Sequence, residues 1–121
     1  MPKKIDPLEK VREIIASFPE THEKLSHGTP TFWGGKKTFA TFHGGQYDDG
    51  VPAMWIKAPE GAQEALIAAD PDRFYRPKYV GPSGWVAYRL VKPDYEELRS
   101  LLVQGYKLVA PKRAIKKLEG D

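Results

Sequence analysis

The sequence predicts an α+β domain, a two-layer sandwich with helices packed on one face of an antiparallel sheet. Three observations carry this reading. Periodicities run in the order helix, several strands, helix, strand, helix; the strands are joined by hairpin-length connections; and the helices bear apolar stripes. At 121 residues, 40% hydrophobic and 12% aromatic, the chain makes one domain, residues 1–121, whose core needs no covalent staples.

Asp6 as N-cap, Pro7 at the first helical position and Glu9 three residues after the cap predict the first helix. Leu8, Val11, Ile14, Ile15 and Phe18 form its stripe, and Pro19 ends it. From about Lys24 to Lys57, β-branched and aromatic runs divided by glycine predict strands at Thr31–Trp33, Thr38–His43 and Ala53–Lys57. Gly34-Gly35-Lys36-Lys37 supplies a tight hairpin between the first two, and a polar loop from Gly44 to Gly50 makes the next connection. Pro59 opens a second helix, in which Ala62, Ala65, Leu66 and Ala69 give a narrow face for a sheet and Asp70-Pro71 closes the run. Phe74 to Val80 is broken by Pro77 and reads as loop or edge strand, whereas Trp85–Val91 alternates as a central strand does. Pro93 starts a third helix with a Tyr95, Leu98, Leu101, Leu102 stripe and Gly105 just past its end; Pro111 begins a short last turn or helix carrying Ile115 and Leu118.

Composition removes several classes of function. Without cysteine there are no disulfides, zinc ribbons, thiol nucleophiles or iron–sulfur clusters. No apolar run approaches the roughly 18 residues that span a bilayer, and the first residues lack a signal peptide's hydrophobic stretch, so a cytoplasmic protein with no membrane partner is expected. Residues 1–102 hold 14 Lys/Arg against 14 Asp/Glu and residues 103–121 hold 5 against 2, which places the net +3 at the C-terminal end, around Lys112 and Arg113.

Strand alternation gives a candidate surface. With Met54, Ile56, Val86, Tyr88 and Leu90 facing the helices, Trp55, Lys57, Trp85, Ala87 and Arg89 face away. Two indoles with a lysine and an arginine make a platform for stacking bases and meeting phosphates. The other cations with phosphate reach are Lys36 and Lys37 in the hairpin turn, Arg73, Arg76 and Lys78 in the later loop, and Lys112 and Arg113. The alternative is a protein- or small-ligand-binding module, or a homodimer, that buries Trp55 and Trp85.

Catalysis and metal binding find little support. His22 and His27 are five residues apart, and His-Glu-x-x-His is absent. His22, His27 and His43 therefore read as structural or exposed. Asp48-Asp49 and Asp70-x-Asp72 sit beside glycine or proline, where turns recruit aspartate. Gly81-Pro82-Ser83-Gly84 lacks the spacing of a nucleophile elbow and reads as a hairpin turn. Phosphate-binding glycine motifs are missing too, so neither an enzyme nor a cofactor is expected.

An ordered set of stretches carries a resemblance: His27-Gly28-Thr29-Pro30-Thr31-Phe32, Gly35-Lys36-Lys37-Thr38-Phe39-Ala40 and Met54-Trp55-Ile56-Lys57-Ala58-Pro59, followed by Asp72-Arg73-Phe74, Tyr79-Val80-Gly81, Gly84-Trp85-Val86 and Ala110-Pro111-Lys112-Arg113. Together, over about residues 10 to 115, they resemble the MmcQ/YjbR family of small, mostly bacterial proteins of uncertain function. The resemblance implies a fold similar to CyaY/frataxin and a "double wing" arrangement, for which members are described as DNA-binding. It supplies no catalytic residue set. Frataxin-like iron binding would need an acidic helix ridge, and the first helix instead mixes Glu9 and Glu13 with Lys10 and Arg12.

Overall fold

Asp6 caps the first helix, α1 (Pro7–Ala16), by accepting from the Leu8 backbone N–H at 3.0 Å. The structure is a computed structural model that describes residues 6–45 and 50–120; Asp48 and Asp49 of the predicted polar loop lie outside these residues. The chain continues through β1 (Thr21–Ser26), β2 (Thr29–Gly34), β3 (Lys37–His43) and β4 (Ala53–Ile56) to α2 (Ala62–Ala69). Then come β5 (Phe74–Tyr75), a 3₁₀ turn (Gly81–Ser83), β6 (Val86–Arg89), α3 (Tyr95–Lys107) and α4 (Lys112–Leu118). The strands form one antiparallel sheet in the order β1-β2-β3-β4-β6-β5.

Alternation sorts the strand residues to two sides. On the inner face Phe32, Met54, Ile56, Val86 and Tyr88 pack with Val11, Ile15, Leu98, Leu102 and Ala114 of α1, α3 and α4. Phe18, Phe39 and Tyr106 meet at the centre, with ring centroids 5.2 Å apart for Phe18–Tyr106 and 5.8 Å for Phe39–Tyr106. The Tyr106 hydroxyl donates to the Pro19 carbonyl, so the polar end of a buried ring is satisfied. On the outer face Ala53, Trp55, Trp85 and Ala87 form a second, smaller cluster with Tyr75 and Val80.

Four elements depart from the sequence reading. β1 is an additional edge strand whose middle four residues are all exposed, so no burial period marks it. It reaches β2 through His27 and Gly28, at φ 53° and 77°, which is the two-residue turn that twisted hairpins favour. In α2 the predicted alanine face is not the buried one: Ala65 and Ala69 are exposed, Gln63 is buried, and Leu66 and Ile67 pack against the core. Gly105 lies within α3, because a Cβ there would stand 2.7 Å from the Lys57 carbonyl oxygen and 3.1 Å from Ile56 Cγ2; glycine lets α3 approach β4 closely. Finally, the 3₁₀ turn that replaces the expected hairpin turn belongs to a longer connection between β5 and β6.

Candidate functional site

A single row of residues crosses the outer face. Register pairs Thr31 with Thr41, Thr41 with Trp55, Trp55 with Ala87 and Ala87 with Tyr75. Ala87 is small and stands between two rings, which lets the Trp55 indole N–H donate to the Tyr75 hydroxyl at 3.3 Å. His43 lies stacked against Trp55 with ring centroids 3.7 Å apart, and its Nε2 is 2.8 Å from the Thr41 hydroxyl. Burial pushes His43 down to about 4, so the imidazole is neutral at pH 7.

Thr31, Thr41, His43 and Trp55 line a recess of about 610 Å³. Its floor holds Trp55, Trp85 and His43; Thr29, Thr31, Thr38 and Thr41 add hydroxyls; Ser26 and His27 close one end, and Tyr79 and Val80 overhang from the connection before β6. No carboxylate lines it among the described residues. The indoles are recessed rather than open, with Trp55 4% and Trp85 7% exposed, so the expected stacking platform is replaced by a trough. α2 fixes its far wall, since Gln63 Nε2 donates to the Gly81 and Trp85 carbonyls at 2.8 and 2.5 Å.

The predicted cations do not gather at one site: Lys37 and Lys57 line one basin beside Trp85, and Lys36, Lys37 and Arg113 line another. Arg73 Nη1 donates to the Arg89 and Val91 carbonyls at 2.5 and 2.8 Å, its Nη2 donates to Lys92 at 3.1 Å, and the guanidinium covers the Tyr88 ring. Arg89 Nη1 donates to the Pro71 and Asp72 carbonyls, both at 3.1 Å, and lies 4.6 Å from the Tyr75 ring centroid. Both arginines therefore bind backbone, where the sequence placed Arg89 on an open sheet face and Arg73 in the later loop. Arg76 folds its stem over Gly81, and Lys78 is exposed in the same connection. Arg113 turns its fork onto Glu20 at 2.7 and 3.0 Å. Lys36, Lys37 and Lys112 are exposed, and Lys57 is half-buried at the hairpin end of β4.

The YjbR family model matches residues 16–108. The chain belongs to the YjbR family. A solved YjbR-like structure, the Deinococcus radiodurans protein DR2400 with a DUF419 domain, superposes with a TM-score of 0.74 at 20% identity, covering 98% of this chain and 92% of that one. That likeness concerns the α+β fold. No curated protein matches the chain. Within this YjbR domain the sequence reading missed the trough's hydroxyls and its two histidines, His27 and His43. The available signal was outward parity, since Thr29 and Thr31 alternate with inward Phe32 and, after the bulge between Phe32 and Trp33, Thr41 and His43 flank inward Phe42. Among the described residues no three His, Asp or Glu side chains gather as a metal site, and no helix is long and apolar enough to cross a membrane.

Proposed function

We propose that this YjbR-family protein is a non-catalytic cytoplasmic module that takes a small planar aromatic ligand into the trough of the outer sheet face. The supporting observation is the recess itself: about 610 Å³, apolar and aromatic at the floor, with a few hydroxyls and a neutral imidazole to orient a ring. A second copy of the chain is not needed to cover the indoles, because Trp55 and Trp85 are already 4% and 7% exposed within one chain. The test is a screen of one- to three-ring heteroaromatic compounds, following the indole N–H signals by ¹⁵N–¹H NMR. Binding should move the Trp55 and Trp85 signals and disappear in Thr41→Phe, whose ring would fill the trough beside Trp55. Unmoved signals at millimolar compound overturn the reading.

DNA binding is the second reading, and the exposed Lys36, Lys37 and Lys112 favour it. It would proceed through phosphate contacts at the hairpin end, since the covered indoles offer little area for stacking. Duplex affinity should then fall with salt at a log–log slope of roughly −0.9 per phosphate neutralised and drop in Lys36→Glu/Lys37→Glu. A duplex that fails to bind at low salt removes this alternative.

A further inference from the structure

Beyond Trp85 and Thr38 the trough continues into a second basin of about 440 Å³ at the hairpin end of the outer face. Its polar side chains are Lys37, Lys57, Thr38, Ser83 and Trp33, with no carboxylate among them. Neither lysine forms an ion pair among the described residues, so two positive charges face one small volume without compensation. The Trp33 side chain forms part of the basin's wall, and its indole N–H, which no acceptor meets, lies beneath the surface.

We infer that this basin is an oxyanion subsite: the ligand carries a carboxylate or phosphate that is held by the Lys37 and Lys57 ammonium groups and the Thr38 and Ser83 hydroxyls while its ring lies in the neighbouring trough. The inference rests on the small-ligand reading and narrows it to planar aromatic anions. The geometry separates the two roles. The titratable side chains lining the basin are Lys37 and Lys57, whereas the trough floor offers hydroxyls, the neutral His43 imidazole and aromatic faces, with His27 at its end. A charged group belongs in the basin because the trough would bury it without a counter-charge.

The experiment compares three matched probes, 2-naphthoate, 2-naphthyl phosphate and neutral 2-naphthamide, with inorganic phosphate alone as a fourth arm. The three tryptophans give separate indole N–H reporters. Both aromatic anions should bind at least fivefold more tightly than the amide and should move the Trp33 signal, which the amide leaves in place; the tighter of the two identifies the oxyanion. Lys37→Gln/Lys57→Gln should reduce the anions to the amide's affinity, with retained amide binding showing an intact fold, and Lys36→Gln, outside the basin, should keep the preference. Equal affinities for amide and anions, or a preference that survives the double variant, overturn the subsite while leaving the trough. If no aromatic probe moves the Trp55 or Trp85 signal, the trough fails. Inorganic phosphate then judges the basin alone: a Trp33 shift abolished in the double variant upholds it, and no shift overturns it.

Discussion

Three backbone carbonyls converge on Arg73, and its guanidinium also covers the Tyr88 ring at 4.9 Å. Lysine cannot reproduce a planar fork reaching several oxygens, so Arg73→Lys should lower the unfolding free energy by about 2 kcal/mol in a urea titration. A loss no larger than that of an exposed-lysine control such as Lys36→Gln would show that the carbonyls are equally well served by water. His43 is the second test at this scale. Its folded value, about 4, lies below the ordinary 6.5, so the unfolded chain takes up the proton first and stability rises with pH between those values. Acidification from pH 7 to 4 should therefore cost the wild type about 2–3 kcal/mol more than His43→Gln, with the difference absent above pH 7. Parallel stability curves for the two proteins would mean that His43 is solvated in the fold. Neither residue's role was legible in the sequence. Period two gives the side of a strand on which a side chain lies, as it did for Trp55 and Trp85; it carries no information about which loop carbonyls will stand over an arginine, or how deep an outward residue lies.

At the scale of elements, glycine and alanine misled for the same reason. Helix-ending glycine and sheet-facing alanine are rules about local preference, and both were overridden by distant packing. Gly105 belongs inside α3 because the Lys57 carbonyl passes where its Cβ would be. Gly105→Ala would gain about 1 kcal/mol of helix propensity, but the contact opposed to it is backbone, which cannot rotate aside. A net destabilisation of about 2 kcal/mol is expected in the same titration, and a more stable variant would mean that α3 and β4 are less closely packed than described. In α2 the decisive residue is polar. Gln63 joins the helix to the Gly81 and Trp85 carbonyls, and Gln63→Leu, though apolar and similar in size, would remove this donor from both oxygens, of which Gly81 keeps the Gly84 N–H. It should cost about 2 kcal/mol and loosen the wall of the trough, seen as faster amide exchange at Gly84 and Trp85. Unchanged exchange there would separate the helix from the site. β1 escaped notice because an exposed edge strand has no buried face to impose alternation on Thr21–Ser26.

For the whole molecule, the layer architecture was legible because it follows from the ordering of apolar periods, and the same alternation put both indoles on the side away from α1 and α3. The depth of that side was hidden, since Tyr79 and Val80 come from a connection remote in sequence from Trp55. The result is a sheet with one face filled and the other carrying a recess of about 610 Å³. An occupant of that recess should stabilise the folded state by mass action. With 2-naphthoate at a hundred times its dissociation constant, the unfolding free energy should rise by about 2.7 kcal/mol and the melting temperature by roughly 10 °C. Duplex DNA at low salt tests the competing account on the same scale. If DNA raises the melting temperature and 2-naphthoate does not, the basic hairpin end is the functional surface and the trough is packing; if only the aromatic anion does so, the exposed lysines serve solubility apart from the two that face the basin.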